Sequence, residues 1–503
     1  MRSLYRRIKE NEDRGAALAL VAASLVVLMG MAAFGSDLGW FYLNASRIQR
    51  AADAAALGGV IWLPGQPGTA DATAVDIALR NGYDNSLTDV DVLPAAVPGE
   101  PNKLQVTIND EVPTFFAKVL GFDTMDISRT AVAEYIPPLK LGSPDNQFGN
   151  SCDPEQPGCT GQANFWANIH GKWTDNEMGD AFSSWCTSAT DNPACPQQPS
   201  PPARSTGYLY GIESGSSFTL QFNDIAFHNT SGGNPTGDGI RTGDRGCEDL
   251  SWGPSVAPDC GPTMYVALYA PDPTPLDVTD NALLCQATIP PLPQGLDPDP
   301  YSFTAPDGQG CWSQSGPGVY VVQVRHVDPG ALADRSGLNR YSIQSSSGQL
   351  YALGDFSIYN NASGSTTAFY LAEVPTYYHG KTFVVEFFDA GESAATGTLQ
   401  MVSPDGSVFN DGECRIYTRA NPAQSWSLQN TIPAGSGCQE TVTPQEYHDR
   451  WLKFEMDLPP EYACTEGGVP GCWWKVNYSY PSGVNDTTTW KAYMIGNPIH
   501  LVE

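Results

Sequence analysis

Hydrophobic and polar positions change rhythm several times along this chain. From Gly15 to Ser36, 22 consecutive residues carry no charge, and most are apolar. At 1.5 Å per residue, a helix of that length rises about 33 Å, enough to cross a bilayer core of about 30 Å. The helical pattern continues past this run through Leu38, Phe41, Tyr42, Ile48, Ala51, Ala52, Ala55 and Ala56, with no proline before Pro64. A single helix over residues 14–60, about 70 Å long, is therefore expected, half in lipid and half projecting. Gly35 and Gly39 form a small-xxx-small pair on it, beside Asp37, and the outer half is lined with alanine. Such faces let a second helix approach closely, which makes Gly35, Asp37 and Gly39 candidate packing positions. The plainer alternative is that alanine simply favours helix.

Farther along, the periods shorten. Asp71 to Leu79 predicts a short helix with Ala72, Val75, Ala78 and Leu79 on one face, ended by Gly82. Leu104, Val106 and Ile108 alternate with Gln105, Thr107 and Asn109, as in a half-buried strand. Pro113 to Ala117 opens another helical turn before Gly121, and Met125 to Glu134 reads as a strand. Beyond the prolines at 137 and 138, short runs rich in Val, Tyr, Phe or Trp recur between turn signals. Examples are Ser217–Phe222, Met264–Tyr269, Val319–Arg325, Ala368–Val374, Thr382–Asp389, Trp451–Asp457 and Trp473–Tyr480. The expected fold is mostly β with an N-terminal transmembrane helix: a long helix, a small α/β head, then two disulfide-bearing, jelly-roll-like β-sandwiches. The corresponding boundaries are a tail over 1–14, the helix over 15–60, the head over 61–136, a Pro-rich connector over 137–205, and sandwiches over 206–349 and 350–503.

Charge and cysteine usage set the compartment. Residues 1–60 hold 7 of the 26 Lys and Arg and 5 of the 55 Asp and Glu, a net of +2, which leaves −31 of the total −29 for the rest. A body this acidic repels phosphate backbones and anionic lipid, so nucleic acid is excluded as a partner. Arg2, Arg6, Arg7, Lys9 and Arg14 precede the apolar run, which places the N-terminus in the cytoplasm and the bulk outside. A cleaved signal peptide is the competing reading, with small residues at Met31-Ala32-Ala33, but the run exceeds an ordinary signal core. All 12 cysteines lie between Cys152 and Cys472. Their even number and the absence of CxxC favour disulfides over zinc. Pairing neighbours in order joins Cys152–Cys159, Cys186–Cys195, Cys247–Cys260, Cys285–Cys311, Cys414–Cys438 and Cys464–Cys472.

The stretch from Arg14-Gly15-Ala16, through Asp37 and Gly39, to Arg47, Gln49 and Ala51-Ala52-Asp53-Ala54-Ala55-Ala56-Leu57 resembles the N-terminal segment of TadG-like proteins of the Tad/Flp pilus-assembly group. The resemblance continues more weakly to about residue 135. It implies a non-enzymatic, membrane-anchored component of pilus assembly or cell-surface adhesion, with other pilus-assembly or pseudopilin proteins as partners. It also implies a pilin-like helix and head. Related pseudopilins are cut after a glycine and carry Glu five residues on; Leu20 stands there after Gly15, which argues against that processing. Some members add an integrin-like metal-binding domain, but no DxSxS run occurs here. The region with Gly318–Val324 and Asn339–Ile343 looks faintly like bacterial pre-peptidase C-terminal sandwiches.

Candidate chemistry is thin. The six histidines form no HExxH, and there is no GxSxG elbow. No catalytic residue is assigned, and a surface hydrolase is a remote alternative. Asp238 and Asp244 in one Gly-rich loop, and Asp389 and Glu392 in a turn, offer oxygen ligands for a structural calcium, or merely cap turns. Trp473 and Trp474 are adjacent, so on a strand one faces out, which suits a platform for surface glycans. That makes a membrane-tethered carbohydrate-binding module the main alternative.

Overall fold

The computed structural model describes residues 2–149, 165–170, 180–182, 206–224, 263–272, 277–289, 301–302, 310–327, 338–362, 366–390, 396–420, 423–443, 446–447, 450–465, 467, 471–480 and 484–502. The chain divides into two compact units, residues 1–137 with 496–503, and residues 138–495.

In the first unit, helix α1 runs unbroken from Arg2 to Gly59. Its apolar window is fully exposed within the chain and is long and apolar enough to cross a membrane. From Ala45 onward one stripe is buried: Ala45, Ile48, Ala51, Ala52, Ala55, Ala56 and, just past the helix end, Val60. This stripe packs on helix α2 (Pro67–Arg80) and on a four-stranded antiparallel sheet. The sheet runs β1 (Val90–Val97), β2 (Glu100–Pro113), β3 (Thr124–Tyr135), and then the C-terminal strand Ile499–Val502. Leu104, Val106 and Ile108 of β2 point inward and are buried, with Gln105 between them exposed. The alanine stripe is therefore the seat of this unit's own core rather than a bare face awaiting another chain.

Helix α2 buries a stripe that matches the expected one only in part: Ala78 is buried and Val75 packs against the core. Ala70, Ala74 and Ala78 face inward, whereas Ala72 and Leu79 are exposed. The reason is the closeness of the helices. A Cβ placed on Gly59 would lie 2.8 Å from the Ala70 carbonyl oxygen and 3.1 Å from the Ala74 methyl. Only small residues fit such a contact, so alanine wins over Leu79.

The second unit is built from two large antiparallel sheets whose strands come from the whole of residues 138–495. In the first sheet, Leu283–Ile289, Met264–Tyr269, Gly318–His326, Tyr208–Ser214 and Gln349–Ala352 lie in that order on one side. Thr366–Glu373, Trp473–Ser479, Gly397–Val402 and Gln439–Val442 lie on the other, and Lys140–Leu141 pairs with both halves. The second sheet repeats this plan. There Phe165–His170 lies between Leu338–Ser345 and Asp355–Ala362.

Of the described strands of residues 137–205, Lys140–Leu141 and Phe165–His170 are thus the seams of the two sheets rather than parts of a detached spacer. The expected division near residue 350 falls beside that seam, inside one compact unit. Residues 496–503 leave the sandwich altogether, because their backbone groups complete the edge of β3. Between the two sheets lies an aromatic core. The Tyr210 and Tyr341 hydroxyls meet at 2.8 Å, Phe383 packs on Trp474 at 5.1 Å and Phe387 on Tyr478 at 6.5 Å. Each such ring pair adds about 0.5–1.5 kcal/mol beyond its area.

Candidate functional site

The residue that ties the apolar part of α1 to the head is Asp37. It directly follows the charge-free run, yet it is buried, because the turn after β2 wraps over it. Its Oδ1 accepts the amide N–H of Phe115 at 2.9 Å, and its Oδ2 accepts those of Phe116 at 3.0 Å and Ala117 at 2.7 Å. These are the free N–H groups at the start of the short 3-10 turn Ala117–Leu120, so the carboxylate caps that turn from another element. Burial by itself pushes the Asp37 pKa up. The bonds from Phe115, Ala117 and Phe116 outweigh it and hold the carboxyl below its ordinary value.

The turn is closed on itself by local bonds. Thr114 Oγ1 donates to the Phe122 carbonyl at 2.5 Å, and the Thr114 amide to the Asp123 carbonyl at 3.0 Å. Gly121 ends the turn at φ +91°, where a side chain would be strained. Phe115 folds back so that its ring meets Trp40 of α1 edge-on at 5.3 Å. The remaining apolar side chains do not fold back. Val119 is 83% exposed and Leu120 78%, with Phe116 and Phe122 also exposed. The run Thr114-Phe115-Phe116 through Phe122 signalled only a helical turn in the sequence; its outward apolar face was not anticipated.

The other candidate residues fall out as follows. Gly35 and Gly39 have no atom within 4 Å of a built Cβ, and both are exposed. They lie about 200° around α1 from Asp37 in the case of Gly35 and of Gly39 alike, two residues to either side. Cys285–Cys311, Cys414–Cys438 and Cys464–Cys472 are bonded. Cys152, Cys159, Cys186, Cys195, Cys247 and Cys260 lie outside the described residues. So do Asp238, Asp244 and Glu392. Asp389 is buried at φ +57°, its amide donating to the Arg450 carbonyl at 2.9 Å, which fits a turn residue. Among the described residues no three His, Cys, Asp or Glu side chains cluster as a metal site.

Trp473 and Trp474 are both buried, which overturns the expected aromatic platform. Trp474 lies between the sheets against Phe383 and Phe409, donating its indole N–H to Tyr462 Oη at 3.1 Å. Trp473 packs against Tyr370 on the opposite side of its strand. Of the histidines, His326 is buried and shares a 2.7 Å hydrogen bond with Asn339, while His500 sits 3.3 Å from Glu134 in the first unit. These are structural contacts.

Comparison with known families fits this division of the chain. Residues 15–66 match the family described as putative Flp pilus-assembly TadE/G-like, and residues 42–133 match the one described as putative Tad-like Flp pilus-assembly. The matched stretch is most of the helix and the head, and over it the chain is similar to these two families. Among curated proteins, none matches the chain.

Proposed function

We propose that this chain is a non-enzymatic, single-pass component of Tad/Flp pilus assembly, with its N-terminus in the cytoplasm and both folded units outside the cytoplasmic membrane. One observation carries the reading: the lipid-length helix continues without a break into the core of a head that is similar to a Tad-like Flp pilus-assembly family. Anchor and head are one rigid element, so force or position at the membrane passes directly to the head. The orientation rests on the basic residues before Gly15 and on the disulfides beyond the helix, which need an oxidising compartment. The large sandwich is then the surface-presenting part, acidic and stapled.

Within this reading, the bare Gly35–Gly39 face receives a helix of another pilus-assembly protein, since it points away from the chain's own head. The adhesive alternative that relied on Trp474 loses its ligand-facing aromatic. The test is a pair of reporter fusions and a deletion. Alkaline phosphatase fused after residue 502 should be active and β-galactosidase inactive, and deletion should abolish piliation while leaving other envelope functions intact. Inverted reporter activities, or full piliation in the deletion strain, would overturn the proposal.

A further inference from the structure

We infer that the turn from Phe115 to Phe122 is a second membrane contact, dipping into the lipid headgroup region beside the anchor helix. The inference rests on the single-pass reading above, and adds to it a specific lipid-facing surface on the head. Asp37 fixes the depth. It is the first charged residue after a run sized to the bilayer core, so it lies at the boundary between hydrocarbon and headgroups. Phe115, Phe116 and Ala117 are hydrogen-bonded to that same carboxylate, which holds the turn at that level.

The side chains fit the place. Phe116, Val119, Leu120 and Phe122 are exposed, and residues 114–122 carry one charge, Lys118. A lysine of this kind extends its amine to lipid phosphates while its stem stays among apolar groups. On α1 the same level bears Trp40 and Tyr42, residue types favoured at membrane interfaces. In water this apolar cluster on an acidic head would be a liability; at a lipid surface it is a binding face. The backbone is satisfied too, since the turn's N–H groups are capped by Asp37 and by their own carbonyls. With the turn seated, the head has two points of attachment, so its tilt relative to the bilayer is fixed.

The experiment uses the full chain in liposomes of phosphatidylethanolamine and phosphatidylglycerol, with an environment-sensitive fluorophore on one added cysteine. Three variants are compared: Phe34→Cys within the span, Val119→Cys on the turn, and Ala96→Cys near the β1–β2 hairpin, the end of the sheet remote from Pro113. Lipids carrying a nitroxide near the glycerol end act as quencher. The Val119 label should be quenched about threefold more strongly than the Ala96 label, in keeping with interfacial burial. Quenching at Phe34 with only background quenching at Val119 would overturn this inference and leave the anchor standing. No quenching at Phe34 by lipids of any nitroxide depth would instead remove the anchoring reading. A blue-shifted Val119 label insensitive to nitroxide lipid would mean that protein covers the turn, which also overturns it.

Discussion

Asp37 and Ala117, 80 positions apart, are joined by a 2.7 Å hydrogen bond from the Ala117 amide to Asp37 Oδ2. The bond fastens the loop beyond β2 to the helix at the point where α1 leaves its uncharged segment. It also explains why a carboxylate is tolerated, buried, beside a lipid-length run: three backbone N–H groups replace the water it would otherwise need.

The pH dependence of the head follows from that depressed pKa. Below the ordinary value of 3.8 in the folded state, the carboxylate adds stability that is complete above the unfolded pKa. This contribution is lost as pH falls through the folded value. The stability difference between the native chain and Asp37→Asn should hold from neutral pH to about pH 4 and shrink below it. Thermal melts of the two proteins in detergent across that range measure the difference directly. A gap that persisted unchanged well below pH 4 would mean the carboxylate charge is not its source.

What the sequence revealed was local. Leu104, Val106 and Ile108 alternate within one strand, and their burial needs no knowledge of distant residues. The apolar run and the end of α1 near residue 60 were readable for the same reason, but its start at Arg2, within the stretch expected as a tail, was not. The seam was not: Lys140–Leu141 is a two-residue strand whose meaning lies in distant partners, Ala352 211 positions beyond Leu141 and Glu373 233 positions beyond Lys140. The proline-rich surroundings disguised it as a spacer. Trp473 and Trp474 were misread because alternation predicts opposite faces but not what covers each one. Asp37 stood out as an unusual charge, yet its partners in the 115–117 turn were beyond any local pattern.

Gly59 tests the close packing of the two helices. A Cβ there meets Leu104 Cδ2 at 2.5 Å and the Ala70 carbonyl oxygen at 2.8 Å, and the backbone atom cannot swing aside as a side chain does. Gly59→Val should therefore destabilise the first unit by about 1–3 kcal/mol or more through overpacking. Denaturant unfolding of the detergent-solubilised chain, followed by amide exchange in α2, measures this. An unchanged midpoint and unchanged exchange would show that α2 shifts freely.

Trp474 tests the inter-sheet core. It is fully enclosed, and its N–H reaches Tyr462, whose hydroxyl in turn donates to the Val374 carbonyl at 2.6 Å. Trp474→Ala should cost about 3–5 kcal/mol, and Tyr462→Phe about 1–3 kcal/mol by leaving the indole N–H without an acceptor. Leu283→Ala, at an exposed position of the same sheet, should stay within about 0.5 kcal/mol of the native chain. Chemical denaturation of the three variants separates these outcomes; a Trp474→Ala protein as stable as Leu283→Ala would place the tryptophan outside the core.

Gly39 offers the contrast that bears on function. It lies on the same helix as Gly59, but space around it is open, so bulk there meets nothing within the chain. Gly39→Leu should leave folding and membrane insertion at native levels, because leucine is a good helix former and is at ease near lipid. If a partner helix uses this face, the leucine holds it off, since small residues are what permit backbones to approach closely. Piliation should then fall sharply while the amount of protein in the membrane stays the same. Electron microscopy of surface filaments, paired with immunoblots of the membrane fraction, reads both quantities. Normal filaments with Gly39→Leu at native abundance would exclude this face as the pilus contact, and would move attention to the head and its acidic sandwich.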